Sequence, residues 1–351
     1  GAQTSEKPIV TYRIKGPIQL RSNIRLSIEP SVKLQFEFDP DSYLINGEGV
    51  LTRYEGTTLY GRSPLIRAFN IENFAIVAAP GVGAMPEIDG DGKRWREWEV
   101  AGNRARGGKG QEGKRASYMM ARSTNDTGNP IAERRFDHEY LRPCLMEFFL
   151  TRNVLVENIK LSNSPFWCVH PVFSENLTFR GIDFEAHVAN NDGIDPESSR
   201  YVLIEDIDFD NADDNIAIKS GRNVEGREGA IIAGTELEGI QSHYIKDGRI
   251  GGPTEHVLIR NNRFRGHSAL WIGSEMSGGA SHIYALDNVS TTRVNMGFYI
   301  KGGRERGGTA SHVFVRNLHL NEIKNDAICL IANYDGDTTS PFPSRYTNIY
   351  V

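Results

Sequence analysis

Along much of the chain, apolar and polar residues alternate over four to six positions, break at an Asn, Asp or Gly, and then resume. The segments 152-RNVLVENIKLSNS, 175-ENLTFRGIDFEAH, 200-RYVLIEDIDFDNA, 255-EHVLIRNNRFRGH, 281-SHIYALDNVSTT, 311-SHVFVRNLHLNEI and 347-TNIYV align under one another, and 72-ENFAIVA is an earlier relative. Alternation predicts strands with every second side chain facing inward. With the second residue of each segment as anchor (153, 176, 201, 256, 282, 312, 348), the steps are 23, 25, 55, 26, 30 and 36 residues, the 55 reading as two coils. A sandwich or barrel would place strands roughly 8–12 residues apart with no long-period self-similarity. The pattern instead predicts an all-β fold, a right-handed parallel β-helix whose coils bury by stacking an apolar face that none buries alone.

The expected organisation is a single β-helix domain over 1–351, with N-terminal coils at 8–90, a loop excursion at 90–140 and the site-bearing coils at 141–351. The excursion holds RGGKGQEGKR at 106–115 and few aliphatics; 223–254 reads as a second one. Both read either as disordered insertions or as loops that flank a cleft, since binding elements commonly sit on loops over a rigid scaffold. The chain stops at Val351 inside a repeat, so further residues are expected beyond it.

Hydrophobic content of 39% and charged content of 24% are those of a globular chain, which argues against disorder. A net charge of -5 with both signs interspersed argues against nucleic acid or an anionic membrane as partner, yet leaves room for an acidic ligand needing only a few local cations. Cys144, Cys168 and Cys329 form no zinc spacing and no disulfide framework, and are read as free thiols. No apolar run approaches the ~20 residues that span a bilayer. The N-terminal GAQTSEKP carries no leader pattern and constrains the compartment weakly.

The unusual polar residues fall near Ile-rich strands on successive coils. Asn190, Asn191 and Asp192 precede 193-GIDPESS; Asp213 and Asp214 enter the strand IAI at 216–218; His267 sits in GHSALWIGSE and Lys301 in FYIKGGR. Asp192, His267 and Lys301 lie 16, 11 and 19 residues after their anchors, and solenoid strands stack about 4.8 Å apart, so one sheet face would gather them. Singly, an Asp before a strand is usually a turn residue. Together, carboxylates in different environments suit glycosidic hydrolysis, one protonated as acid and the others activating water. Side by side in a pleated strand, Asp213 and Asp214 would face opposite ways, so a turn or bulge must aim both at a cleft. Trp167 and His170, in SPFWCVHP, are candidates for a sugar platform and a polar contact, with core packing an equal reading for the Trp. Lys219 is placed either to tune the aspartates or to cap a solvated edge.

The ordered motifs 190-NND, 213-DD, 266-GHS and 299-YIK resemble the NTD, DD, GHG and RIK series of glycoside hydrolase family 28, the polygalacturonases and their relatives, in a bacterial-type form. The stretches 51-LTRYEG, 164-SPFWCVHP, 214-DNIAIKSGR, 273-GSEMSGG and 304-RERGG extend the likeness over nearly the whole chain. The resemblance implies an inverting hydrolase of α-linked, galacturonate-containing polysaccharide, needing no metal or organic cofactor and acting in the periplasm or outside the cell. It implies Asp213 as general acid, Asp192 and Asp214 activating water, His267 supporting the acid, and Lys301 and Asn190 on the substrate.

Departures from the pattern are Asn191, Ser268, Asn215 and, most consequentially, Tyr299 in place of the RIK arginine. Arginine grips a carboxylate with two parallel hydrogen bonds and tyrosine does not. Either a neutral sugar such as the rhamnose of rhamnogalacturonan lies on the leaving side, with Tyr299 stacked on it, or Arg304 restores the charge. A calcium-dependent lyase and a non-catalytic carbohydrate-binding solenoid are further alternatives; neither needs Asp213 beside Asp214. Endo or exo action and oligomeric state stay open.

Overall fold

The computed structural model describes residues 7–101, 129–334 and 336–351. Parallel strands stack coil on coil into a β-helix. One sheet runs through Glu72–Ala78, Arg152–Glu157, Glu175–Arg180, Arg200–Glu205, Thr254–Arg260, Ala280–Val294, Thr309–Ile323 and Arg345–Tyr350. Their register aligns Phe74, Val154, Leu177, Val202, Val257, Ile283, Val313 and Ile349 in one column, all but the last buried. Burial of each apolar residue thus depends on the coils above and below it, as the alternation predicts.

The repeat anchors have a backbone cause. Asn153, Asn176, Tyr201, His256, His282, His312 and Asn348 all take φ between 53° and 57°. That left-handed turn starts each strand and repels β-branched side chains. The ladder is also tied laterally. Asn176 donates to Asn153 Oδ1 at 2.6 Å and Asn153 to Asn73 Oδ1 at 2.7 Å, while the rings of Tyr201, His256, His282 and His312 stack at 5.1, 4.8 and 5.0 Å. His282→Val should therefore cost about 1–2 kcal/mol of stability, measured by urea denaturation, whereas His282→Asn, which keeps the left-handed turn and loses only the ring stack, should cost less.

The 55-residue step is one coil, not two: Arg200–Glu205 pairs directly with Thr254–Arg260. The surplus residues leave the solenoid as a short helix, Val224–Glu228, and three small antiparallel strands, Ala230–Ile231, Ile245–Lys246 and Arg249–Ile250. They pack with Phe149 and Phe173 of the solenoid and with the hairpin Val50–Tyr54/Thr57–Gly61. That antiparallel hairpin interrupts what the sequence reads as uninterrupted N-terminal coils. Of the 90–140 excursion, helix Gly92–Ala101 docks Trp95 against Phe38 at 5.0 Å; the run 106–115 lies outside the described residues. The three cysteines are free. Among the described residues no helix is long and apolar enough to cross a membrane.

Candidate active site

A second set of strands turns a corner of the solenoid. Strand Asp208–Ile218 pairs through Asp208 with Asp183 and through Ile216 with Ile194, so one strand serves two faces. Against its neighbour Arg263–Gly273, Asn211 pairs with Gly266 but Asp214 with Ser268, three residues opposing two. This bulge shifts the phase of the strand: Phe209 and Asn211 are inside before it, Ile216 and Ile218 after it. At the shift, Asp213, Asp214 and His267 come together, with ligand atoms all within 4.8 Å of one another. The bulge that the adjacent aspartates demand is present at the residues that demand it.

The register also corrects the coil count. His267 lies one coil beyond the aspartates rather than two, because Asp214 pairs with Ser268. Ser268 pairs in turn with Met296 and Gly273 with Lys301, which puts Lys301 on the following coil. Lys301 Nζ donates to Asp214 Oδ2 at 3.0 Å and lies 3.8 Å from the centre of the Trp271 ring. His267 Nδ1 is 4.0 Å from Asp213 Oδ1 and 3.9 Å from Asp214 Oδ1, and shares a 2.8 Å hydrogen bond with Ser268 Oγ. The two aspartates differ in setting: the Asp213 side chain is 33% exposed and that of Asp214 2%.

Asp213, Asp214 and Lys301 line a cleft of about 290 Å³, together with Trp167, Asn190, Asp192, Lys219 and Tyr334; His267 stands beside the two aspartates outside that lining. Lys219 is buried at its floor. Its Nζ is 3.5 Å from Asp192 Oδ2, 3.5 Å from Glu275 Oε2, 4.0 Å from Asp195 Oδ2 and 4.3 Å from the Trp167 ring centre. Lys219 is thus buried among carboxylates and caps no solvated edge. Burial alone would drive its proton off, but Asp195, Asp192 and Glu275 outweigh that and hold its pKa well above the ordinary value.

The acids respond oppositely. Burial, then the charge of Asp214, raises the Asp213 pKa against the pull of His267 and Lys301. Burial, with Asp195 and Asp213 nearby, carries Asp192 well above its ordinary value, and burial lifts Asp195 to about 7 despite Lys219. Glu275 behaves differently. Although burial opposes it, Arg306, Lys219 and Lys301 hold its carboxyl below the usual range.

Three substrate candidates are not where the sequence reading put them. His170 is fully buried, its Nε2 2.8 Å from Glu197 Oε2 and its ring edge-on beneath Trp167 at 4.9 Å. It props the Trp and does not reach the cleft. Tyr299, 8% exposed, packs edge-on against Trp271 at 4.3 Å and is covered by Met296, Cys329 and Ile331. Arg304 donates from Nε to Ser340 O at 3.0 Å and does not line the cleft. Asn190 does line it, with Oδ1 accepting from Arg142 Nη2 at 2.7 Å. Asn191 is a strut, donating to Ser164 O and Phe166 O at 2.8 and 2.7 Å.

Missed by the sequence reading were Glu55, Arg222, Glu275 and Arg306, all cleft-lining. Each sits in a turn, where alternation carries no signal about direction. The nearest available sign was an acidic or basic residue in a Gly/Ser-rich stretch directly after an Ile-rich strand, as in KSGR and WIGSE.

Comparison with known proteins agrees with this architecture. The family model for glycosyl hydrolases family 28 matches residues 131–241. A probable polygalacturonase of Vitis vinifera is 35% identical over 190 residues, 53% of this chain and 34% of that one, so the chain spans about a third of this curated relative. The crystal structure of a hyperthermoactive exopolygalacturonase from Thermotoga maritima superimposes with a TM-score of 0.75 at 35% identity, covering 95% of this chain and 69% of that one. A family 28 exopolygalacturonase from Yersinia enterocolitica shares the fold at a TM-score of 0.69 and 18% identity, over 98% of this chain and 59% of its own. With the ordered motifs on the chain and a relative of this identity matched over most of both lengths, the chain belongs to glycosyl hydrolases family 28.

Proposed function

We propose that the chain hydrolyses α-glycosidic bonds in a galacturonate-containing polysaccharide of the pectin type, with inversion at the anomeric carbon. The observation that carries this reading is the bulge, which sets Asp213 and Asp214 in different environments within one cleft. Asp213, with its raised pKa and outward position, is the general acid that protonates the leaving oxygen. Asp214, fixed by the Lys301 ammonium at 3.0 Å, is the carboxylate that receives the proton of the attacking water. Asp192, driven toward its neutral form by burial and then by Asp195 and Asp213, orients that water with Lys219 rather than acting as the main base. His267, about 4 Å from both aspartates, positions the acid.

The sugar carboxylates meet a cleft lined by Lys219, Lys301, Arg222 and Arg306. Tyr299 lies outside that lining, so it offers no stacking face for the neutral sugar of the rhamnogalacturonan reading. A polymer of this kind places the reaction outside the cytoplasm, in the periplasm or the medium. The non-catalytic alternative has no use for a bulge at paired aspartates.

Incubation with polygalacturonan should release saturated galacturonate sugars, with the β anomer formed first as read by proton NMR. Release of unsaturated products, or cleavage of rhamnogalacturonan alone, would overturn the assignment. The acid must be protonated to work, so kcat should fall as pH rises through the elevated pKa of Asp213. That alkaline limb should lie above the ordinary carboxylate range, and a kcat–pH profile measures it.

A further inference from the structure

The sheet that ends in the cleft continues away from it, and its far end holds a guanidinium that the packing does not use. By register, Gln19, Arg67, Glu147 and His170 follow one another on successive coils, and Asp195 and Ala217 extend the row onto the strand of the paired aspartates. Arg67 thus lies four ladder steps from Ala217, about 19 Å at ~4.8 Å a step. The hairpin Val50–Tyr54/Thr57–Gly61 stands between. Its turn residue Glu55 lines the cleft, whereas Val50 and Tyr60 at its base line a separate groove of about 480 Å³ with Gln19, Arg67, Arg135 and Glu236. The two cavities share no lining residue.

Arg67 lies over the Phe69 ring, 4.5 Å from its centre. Its Nη2 reaches only Leu51 O, at 3.5 Å, and its Nε is buried with no acceptor among the described residues. The acids around it are engaged elsewhere. Glu147, next on the row, accepts from Thr52 Oγ1 at 2.8 and 2.9 Å and from Arg53 N–H at 3.1 Å, and Glu236 accepts from the Tyr60 hydroxyl. A guanidinium sunk into the protein with spare donors is costly until an acceptor reaches it. The groove offers more than one kind of partner. Arg67 presents a planar fork that fits a carboxylate with two parallel bonds, while the Gln19 amide and the Glu48 and Glu236 carboxylates suit hydroxyl groups. Two guanidiniums, Arg67 and Arg135, face those two carboxylates, so donor type rather than net charge decides the ligand. A uronic acid sugar carries both groups. A simple oxyanion lacks the hydroxyls, and a neutral sugar lacks the carboxylate.

We propose that the groove at the base of the hairpin, built on Arg67, is a second sugar site that takes one uronic acid residue of a pectin-type oligosaccharide outside the catalytic cleft. The choice of sugar rests on the hydrolase reading above; the site itself takes no part in hydrolysis. Its volume falls within the ~300–1,000 Å³ of small-molecule sites. A polymer held there keeps its neighbouring segments near the cleft, which raises the local concentration of cleavable bonds.

Calorimetric titration of the Asp213→Asn protein, which removes the acid and spares the substrate, should find two sites per chain for galacturonate trimer. Arg67→Gln in that background should weaken one of them about tenfold or more, as expected for loss of charged hydrogen bonds, and leave the other within about twofold. Gln19→Ala, at an exposed position, should weaken the same site about threefold and leave the fold intact. With Asp213 in place, Arg67→Gln should leave kcat on the trimer unchanged. Neither inorganic phosphate nor a neutral galactose trimer should displace the uronate trimer at equal concentration. A single site in the Asp213→Asn protein, or two sites that survive both substitutions, overturns the proposal. Displacement by phosphate or by the neutral trimer overturns it too, because the groove would then not select a uronic acid. If the trimer binds nowhere and the unaltered protein releases no sugar from polygalacturonan, the hydrolase reading fails and the second site with it. If sugar is released but only the cleft binds, the second site alone fails.

Discussion

Asp213→Asn is expected to lower kcat on galacturonan by about 10²- to 10⁴-fold, the usual contribution of a positioned general acid. KM should change little and the fold should hold. The side chain accepts one hydrogen bond within the described residues, from the neighbouring Asp214 N–H at 3.0 Å, and the amide oxygen of Asn can still accept it. Stability should even rise slightly toward neutral pH, and the sign follows from linkage. A carboxyl whose folded pKa lies above its unfolded value is favoured by folding in its protonated form, and costs stability as pH climbs above the unfolded value. Burial and the charge of Asp214 raise the Asp213 pKa, so an uncharged replacement removes that cost. A thermal melt at two pH values, beside the rate measurement, checks both halves. A variant that retained most of its kcat would remove Asp213 from the acid's role.

The largest effect on stability is expected away from the chemistry, at Arg53. This fully buried guanidinium donates from Nε to Glu197 Oε1 at 2.6 Å and from Nη1 to Thr58 Oγ1 at 2.9 Å, and lies 3.7 Å from Glu225 Oε2. Glu197 also contacts His170, and Glu225 pairs with Arg134, so the hairpin, the solenoid and the inserted helix share one charged network. Its partners were desolvated together, and withdrawing one cation leaves carboxylates buried without compensation. Arg53→Met should therefore destabilise by about 3–5 kcal/mol. Pairing it with Glu197→Gln should restore part of the loss, because the double change removes the stranded charge along with the cation. Chemical denaturation of the single and double variants measures the difference; a loss under about 1 kcal/mol would show that the network is solvated.

The scaffold was legible because its regularity is local. Each anchor position must be left-handed, and Asn, His and Tyr there mark it as clearly as the alternation that follows. The paired aspartates were legible for a related reason: adjacent like charges entering an apolar strand violate the pleat, and the violation has few remedies. What escaped the sequence depended on contacts between distant segments. Nothing in the 55-residue step says that its middle folds as an insertion against the hairpin. Arg222, Glu275 and Arg306 belong to turns whose aim is set by one another. Tyr299 occupies an outward position, which reads as accessible, but Trp271 on the preceding coil and Cys329 on the next enclose it.

The extra residue in strand Asp208–Ile218 exposes the site to a kind of damage that substitution scanning would not find. Deleting Ala212 alone would let the strand match Arg263–Gly273 residue for residue and return Asp213 and Asp214 to opposite sides of the pleat. All the proposed catalytic groups would remain in the chain, and the ladders of the solenoid would close around them. The product would be a well-folded protein with an intact motif and no working pair of acids. In this architecture a change of length by one, rather than a change of residue, is the most direct route from enzyme to inert scaffold, and motif matching alone would not detect it.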